Sequence, residues 1–271
     1  MPNEQRLDVW LVASGLASGR DKACERIRAG EVTVNGTVVC KPAYRVAEND
    51  VVCCNTADTY VGRGGLKLEH ALALTEPLTP GCVAMDIGAS TGGFTECLLR
   101  AGASRVFAVD VGHDQLHPTL RDDPRVTDLS GTDARNQEQL LPFVAPESVD
   151  VLTMDVSFIS LRAVLPAVFL FLKPDARLFL LIKPQFEAGR ADIGKNGIVS
   201  DRRVHCRVLR ELCDFFAEQG CALEQLTASP ITGGASRQNG NIEYVALLRR
   251  HGRHVVPDIR ALVEESFAKL H

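Results

Sequence analysis

The sequence predicts an α/β protein, a doubly wound and mostly parallel sheet preceded by a small α+β unit. Three observations predict it. Residues 83–110 read as strand, Gly-rich turn, helix and strand, the first βαβ unit of an open sheet. Further apolar runs, Val149 to Asp155 and Arg177 to Lys183, end in charged residues and alternate with helical periodicity. The first 59 residues follow a separate pattern of two short helices and a hairpin. We divide the chain into domains 1–59 and 60–271.

In the first domain, Leu7, Trp10 and Leu11 share one helical face. Ser18 can cap a second helix, with Ala23 and Ile27 on one face and Lys22 and Arg26 on another. Arg20 and Arg28 add charge beside them. The alternation from Val32 to Val39 around Asn35-Gly36 predicts a hairpin. Lys41, Pro42 and a segment from Val46 to Val52 close the unit. Acids at Glu4, Asp8, Asp21, Glu25 and Glu31 balance the bases, so only the second helix is locally basic. Charge alone fits a solvated face equally well. Residues 55–65, small and polar, hold the linker, which ends at Tyr60. A helix from Leu66 to Leu74 follows, with Arg63 and Lys67 four residues apart.

The βαβ unit carries the ligand signal. Val83, Ala84 and Met85 lead into Asp86, and Gly88, Ala89, Ser90, Thr91, Gly92 and Gly93 follow without a bulky side chain. Phe94, Cys97, Leu98 and Ala101 recur at helical spacing, and the run Val106 to Val109 ends in Asp110. An acid there can accept both hydroxyls of a ribose. A dinucleotide needs G-x-G-x-x-G to hold its pyrophosphate, and G-A-S-T-G-G misses that spacing. Asp86 would oppose a pyrophosphate and suit an ammonium. S-adenosylmethionine, which has an amino-acid head and a ribose but no phosphate, fits better. A Gly-rich turn without a ligand is the weaker reading, because two carboxylates are placed about it.

Beyond Asp110, Val126 begins a short strand leading to Asp128 and Asp133, and Ile159 to Phe171 reads as an apolar helix. Pro184 to Ser200 reads as a long loop, followed by a helix from Asp201 to Glu218 and a strand from Ala222. A polar loop, Gly233 to Asn241, precedes the last strand, Ile242 to Leu248, and Pro257 opens a terminal helix. Ligands of open sheets bind beyond the carboxyl ends of the strands. Asp86, Asp110, Asp155 and Lys183 sit at such ends. Glu243 joins them only if its strand runs antiparallel, and Lys67 can fold over the same rim. A structural ion pair is the plain alternative for Asp155 and Lys183.

Composition narrows the classes. Hydrophobic content of 45% and charged content of 24% fit a globular protein, and a net charge of −4 requires any basic site to be local. Nine cysteines without C-x-x-C spacing read as reduced thiols of a cytosolic protein, not a disulfide framework or zinc site. The N-terminus lacks a signal-peptide core, and the longest apolar run, Ala163 to Leu172, falls short of a membrane span. The seven histidines are scattered, and no cluster calls for a metal.

Two resemblances sharpen this reading. The stretch RLDVWLVASGLASGRDKACERIRAGEVTVNGTVVCKP resembles the alpha-L RNA-binding module first seen in a ribosomal small-subunit protein. It implies RNA contacts by shape and phosphates, expected through Arg6, Arg20, Lys22, Arg26, Arg28 and Lys41, and Arg63 beyond the module is a further RNA-binding candidate. Lys67, Asp155, Lys183 and Glu243, in the contexts GRGGLKL, TMDVSF, LLIKPQFE and GNIEYV, resemble the K-D-K-E tetrad of FtsJ-like RNA ribose 2′-O-methyltransferases. Together with DIGASTGGFT and AVDVG, the whole chain is similar to the TlyA family, also labelled hemolysin. The resemblance implies a Rossmann-like seven-stranded methyltransferase sheet. It implies S-adenosylmethionine held by Asp86, Gly88 to Phe94, Asp110, Asp133 and Asp155. It further implies 2′-O-methylation of cytidine in ribosomal RNA, with ribosomal subunits as partners and a cytoplasmic location. Asp133 stands where the family's asparagine is expected, and ASRQ lengthens the loop before Asn241.

A 2′-hydroxyl is a poor nucleophile, so it must be aligned with the methyl carbon and relieved of its proton. Lys183 is the expected base. Lysine titrates near ~10.4 in water, so desolvation and Lys67 must lower it while Asp155 raises it. A charged Lys183 stabilising the developing alkoxide serves equally well, and Glu243 would orient Lys67 or the ribose. A small-molecule methyltransferase is disfavoured by the first domain. A membrane-active toxin is disfavoured by the lack of an apolar span or basic amphipathic helix. An RNA-binding protein with an inactive fold is disfavoured by the intact tetrad.

Overall fold

The computed structural model describes residues 5–14, 16–17, 19–47, 49–54, 60–194, 196–233, 240–252 and 254–270. The chain divides into two compact units, one within residues 1–59 and one from Tyr60 onward. Ser18 and the ASRQ insertion lie outside the described residues.

The first unit contains β1 (Gln5–Arg6), α1 (Leu7–Ala13), α2 (Arg20–Arg28), β2 (Val32–Val34), β3 (Thr37–Val38), β4 (Arg45–Val46) and β5 (Val52–Cys54). Leu7 and Leu11 from α1 meet Ala23 and Ile27 from α2 over Val32, Val34 and Val46. Asn35 and Gly36 have φ of 51° and 79°, the paired left-handed geometry that a two-residue hairpin demands. Asn35 secures the turn by accepting from the Val51 amide at 2.9 Å. β4 pairs with β1 while β5 pairs with β2.

Asp8 organises the charge of this unit. Its carboxylate is only 1% exposed. It accepts from Arg6 Nε at 3.0 Å and Nη2 at 2.9 Å, and from Arg20 Nε at 3.1 Å. The hydrogen bonds from Arg6, joined by those from Arg20, hold the Asp8 carboxyl well below the usual range, against the opposing effect of burial.

The second unit contains α3 (Gly64–Ala73), β6 (Val83–Ile87), α4 (Gly93–Arg100), β7 (Arg105–Asp110), α5 (Pro118–Arg121), β8 (Val126–Ser130), α6 (Gln137–Leu140), β9 (Val149–Met154), α7 (Leu161–Val168), β10 (Leu172–Ile182), α8 (Pro184–Glu187), α9 (Arg202–Glu218), β11 (Cys221–Ala228), β12 (Tyr244–Arg250) and α10 (Ile259–Leu270). Seven strands form one sheet in the order β11-β12-β10-β9-β6-β7-β8. β8, β7, β6, β9 and β10 are parallel, and β12 runs antiparallel between β10 and β11. Both faces are covered, so successive residues of one strand enter different cores. Leu178, Leu180 and Ile182 face the side of α7, α9 and α10, while Phe179 and Leu181 face α3 and α4. That double burial is why these strands read as continuous apolar runs. No helix among the described residues is long and apolar enough to cross a membrane.

Three expectations are corrected. Tyr60 is packed rather than part of a linker. Its ring lies against Gly65 and its hydroxyl donates to Glu69 Oε1 at 2.9 Å. The stretch 184–200 is not a structureless loop, since it holds α8 and a 3₁₀ turn, Arg190–Asp192. The helix expected from Ile159 starts at Leu161, because Ser160 caps it by accepting from the Arg162 amide at 3.1 Å.

The Asp8 cluster yields a test. Asp8→Ala should lower stability in urea by about 1–3 kcal/mol, the usual loss for charge-assisted hydrogen bonds. A carboxyl held low stabilises the fold above its unfolded value near ~3.9 and loses that contribution as pH falls through the folded value. Wild type should therefore show an acid-side loss, measured by urea unfolding against pH, that Asp8→Ala lacks.

Candidate active site

The strand order reverses between β6 and β9, so a crevice opens beyond their carboxyl ends. Gly88 follows β6 with φ of 81°, and a Cβ there would lie 2.5 Å from the Asp155 carbonyl oxygen. Only glycine lets the loop pass so close to the end of β9. A Cβ at Gly93 would lie 2.8 Å from the Gly65 amide nitrogen, so α4 and α3 cross in near backbone contact.

A cavity of about 560 Å³ occupies the rim, lined by Ser90, Asp110, Asp133, Asp155, Phe158 and Ile159 among others. A smaller recess of about 120 Å³ adjoins it, lined by Gly64, Ala89, Thr91, Gly93 and Phe94. Gly88, Ser90 and Asp155 line both. Asp110 ends β7 and accepts from the Ser90 amide at 2.8 Å and the Gly112 amide at 2.7 Å. Each oxygen keeps a lone pair for a ligand, and the two amides fix its direction. Asp133 is tied to Arg135, with Nη2 at 2.7 Å from Oδ2, and that pairing lowers its carboxyl below the ordinary range.

Asp86 is placed differently from the expectation. It is fully buried beneath the loop. Its oxygens accept from the Thr95 hydroxyl at 2.7 Å and the Thr153 hydroxyl at 2.8 Å. It joins β6, α4 and β9 and has no face on either cavity, so it supports the loop instead of meeting an ammonium. Burial pushes its carboxyl up to about 7, against the two threonine hydroxyls, with the charge of Asp155 adding to the rise. Gly92 also lines neither cavity, because its Cα faces Leu116 and Leu120.

The four residues of the tetrad form two ion pairs. Ile182 pairs with Tyr244 in the antiparallel ladder of β10 and β12, so the next residues out, Lys183 and Glu243, face each other across the strands. The antiparallel direction of β12 is what brings Glu243 to this rim. Lys67 Nζ lies 2.6 Å from Glu243 Oε2, and the side chains are 9% and 2% exposed. Lys183 Nζ lies 2.6 Å from Asp155 Oδ1. That contact is an ion pair outside hydrogen-bond geometry, while the ammonium donates to Ser157 Oγ, 2.8 Å away. Gln185 Nε2 approaches Glu243 Oε1 at 3.4 Å.

Ser157, Phe158, Gln185 and Arg135 belong to the site and were not singled out from the sequence. Ser157 and Gln185 lie two residues from Asp155 and Lys183, so the strings TMDVSF and KPQFE contained them. Phe158 has φ of 65° and is 90% exposed, with its ring centroid 5.0 Å from that of Phe186. Among the described residues, no group of three or more His, Cys, Asp or Glu is placed to hold a metal.

The basic residues expected to meet RNA divide. Arg6 and Arg20 keep 38% and 62% of their side chains exposed while Asp8 holds them. Arg28 and Lys41 are exposed, and Lys22 pairs with Glu25 at 3.3 Å. Arg26 turns inward and donates to the Leu16 carbonyl at 2.7 Å. Arg63 is half-buried in the second unit and donates to the Thr232 carbonyl at 3.1 Å. These two hold backbone, which charge pattern alone did not separate from solvent-facing positions.

Sheet order, glycine crevice and paired lysines at the rim define a Rossmann-like methyltransferase class. The FtsJ-like methyltransferase family matches residues 60–250, and the S4 domain matches residues 5–52. A Mycobacterium tuberculosis protein named 16S/23S rRNA (cytidine-2′-O)-methyltransferase TlyA is 40% identical over 251 residues, covering 92% of this chain and 91% of that protein. Hemolysin A of Brachyspira hyodysenteriae is 39% identical, covering 89% and 98% of the two chains. A Streptococcus thermophilus structure solved under the provisional name of hemolysin superposes with a TM-score of 0.77 at 38% identity, covering 99% and 97%. The chain belongs to the TlyA family of FtsJ-like methyltransferases.

Asp86 yields a pH test. Between ~3.9, the ordinary carboxyl value, and about 7, the folded protein keeps a proton that the unfolded chain has lost. Stability should fall as pH rises through that window. Unfolding measured against pH should show this slope in wild type, and Asp86→Asn should flatten it.

Proposed function

We propose that this protein transfers a methyl group from S-adenosylmethionine to the ribose 2′-hydroxyl of a cytidine in ribosomal RNA. The observation that carries the reading is the pair of lysine–carboxylate contacts, Lys183 with Asp155 and Lys67 with Glu243, set beside the glycine crevice. The names of the relatives supply the nucleotide and the RNA class, and the S4 match supports an RNA partner for the first unit.

The residues present suit the cofactor. Asp110 faces the larger cavity with oriented oxygens for two ribose hydroxyls, and Asp133 lines the same cavity at a position suited to an adenine amino group. The small recess is bordered by loop backbone where side chains would intrude, which suits an amino-acid tail. When bound, S-adenosylmethionine supplies an electrophilic methyl on a good leaving group. The protein must then bring the hydroxyl oxygen into line and dispose of its proton. Asp155 and Ser157 hold the Lys183 ammonium at the mouth of the crevice. From there the ammonium meets the negative charge that develops on the ribose oxygen, or, once it has given up a proton to become the neutral amine, it takes the hydroxyl proton. Lys67 and Glu243 neutralise each other in a nearly closed site and keep the neighbouring wall rigid.

Incubation with separated ribosomal subunits and labelled cofactor, followed by mapping of blocked 2′ positions, tests the assignment. Label on a base, or none on RNA, overturns it. Lys183→Ala should lower turnover by about 10²-fold or more, the range of a lost acid–base group, while calorimetric cofactor affinity stays near wild type. Lys183→Arg keeps charge without a removable proton, so its activity separates charge stabilisation from proton transfer. Asp110→Ala should weaken cofactor binding by about 1.5–3 kcal/mol, measured by calorimetry.

A further inference from the structure

The short helical turn α8 directly follows Lys183, and each of its polar or aromatic side chains reaches a different neighbour. Gln185 approaches Glu243. The Phe186 ring lies against Phe158. Glu187 Oε2 accepts from the Ser160 hydroxyl at 2.6 Å, and Oε1 accepts from the Leu161 amide at 2.8 Å. Lys183 itself grips Asp155 and Ser157. The segment from Asp155 to Ile159, which lines the larger cavity, is thus held at its start by Lys183 and at its end by Glu187.

We propose that Glu187 is a positioning residue for methyl transfer, acting through the segment between β9 and α7 on Ser157 and Lys183. This rests on the activity proposed above. The amide of Leu161 opens α7 and has no partner inside that helix. A carboxylate is the acceptor best suited to a helix start, by both hydrogen bond and dipole. The Ser160 hydroxyl turns instead to the Arg162 amide, from which it accepts, and to Glu187 Oε2, to which it donates, so the Leu161 amide is left to the carboxylate. Between the two anchors Phe158 holds a left-handed φ of 65°, a conformation that persists only where its surroundings impose it. Burial pushes the Glu187 carboxyl up, with Ser160 and Leu161 pulling it back, as expected of a carboxylate enclosed by its two partners. Without Glu187 the segment loses one end. Ser157 then drifts, and Lys183 keeps its charge partner but loses the bond that sets its direction.

The test uses full-length protein with saturating S-adenosylmethionine and ribosomal RNA. Glu187→Ala should lower kcat about tenfold or more, as misplacement of a reacting group does, with a smaller change in KM for RNA. Glu187→Gln keeps an oxygen for the Leu161 amide and a polar group for Ser160, and should restore most of kcat. Ser160→Ala, which removes one of the two bonds, should fall between wild type and Glu187→Ala. Hydrogen exchange with S-adenosylhomocysteine bound should quicken in residues 156–161 of Glu187→Ala and stay unchanged in β6 and α4. A kcat within about twofold of wild type at saturation, or unchanged exchange in 156–161, overturns the proposal. If Glu187→Ala does not fold, failure of Ser160→Ala to lower kcat overturns it. Wild type that methylates no RNA defeats the activity assignment, while the exchange measurement still decides whether Glu187 holds the segment.

Discussion

The buried ion pair of Lys67 and Glu243 is the contact on which the second unit's rim depends. Two charges almost removed from water are tolerable only together, because either one alone would lie unpaired in a low-dielectric interior. Their 2.6 Å contact joins the helix that opens this unit to the start of its last strand. It thereby ties together segments 176 residues apart in sequence. Its demands spread outward. A Cβ at Gly233 would lie 2.1 Å from Glu243 Oε1, so only backbone can pass there. Gly65, two residues before Lys67, is held between the Tyr60 ring and Gly93 of α4. The helix that carries Lys67 thus also packs closely on α4, which carries the loop that borders the crevice.

Asp86 performs a related task on the other side of the loop. It takes one hydroxyl from α4 and one from β9, and so sets the strand end, the helix and the neighbouring strand at fixed distances. A side chain that reads as a ligand contact is a support for the surface that ligands meet. Asp110 and Asp155 remain to face the cavity, with Lys183 paired to Asp155 beside it; backbone amides orient Asp110, and Ser157 orients Lys183. The site is preoriented by groups that do not themselves react, which is how electrostatic stabilisation avoids reorganisation during a reaction.

The first unit solves a different problem with a similar device. Two of its arginines, Arg6 and Arg20, keep charge outward on a chain that is acidic overall, with net charge −4. Asp8 is buried and takes both Arg6 and Arg20, so two long side chains are ordered while much of each stays exposed. Long cations that are ordered in advance lose less entropy when they meet a phosphate.

The sequence by itself determined the elements whose signal is local. The Asn35-Gly36 turn, the two helices before it, the glycine loop and the strands ending at Asp110, Asp155 and Lys183 were all legible. Each follows from backbone sterics or from apolar periodicity within a few residues. The resemblance to known families extended this to Lys67 and Glu243, which no local pattern joins. Tertiary structure decided what those side chains do. Glu243 reaches the rim only because β12 inserts antiparallel beside β10, a choice of pairing made across the sheet. Asp86 turned inward because Thr95 and Thr153 surround it, and Arg26 and Arg63 turned to carbonyls instead of solvent. The stretch after Lys183 became an ordered turn because Ser160 and Leu161, 27 and 26 residues earlier, offer Glu187 its partners. Spacing along a chain reports which face a residue occupies. What it meets there depends on contacts between distant segments, and those form only when the sheet closes its two cores.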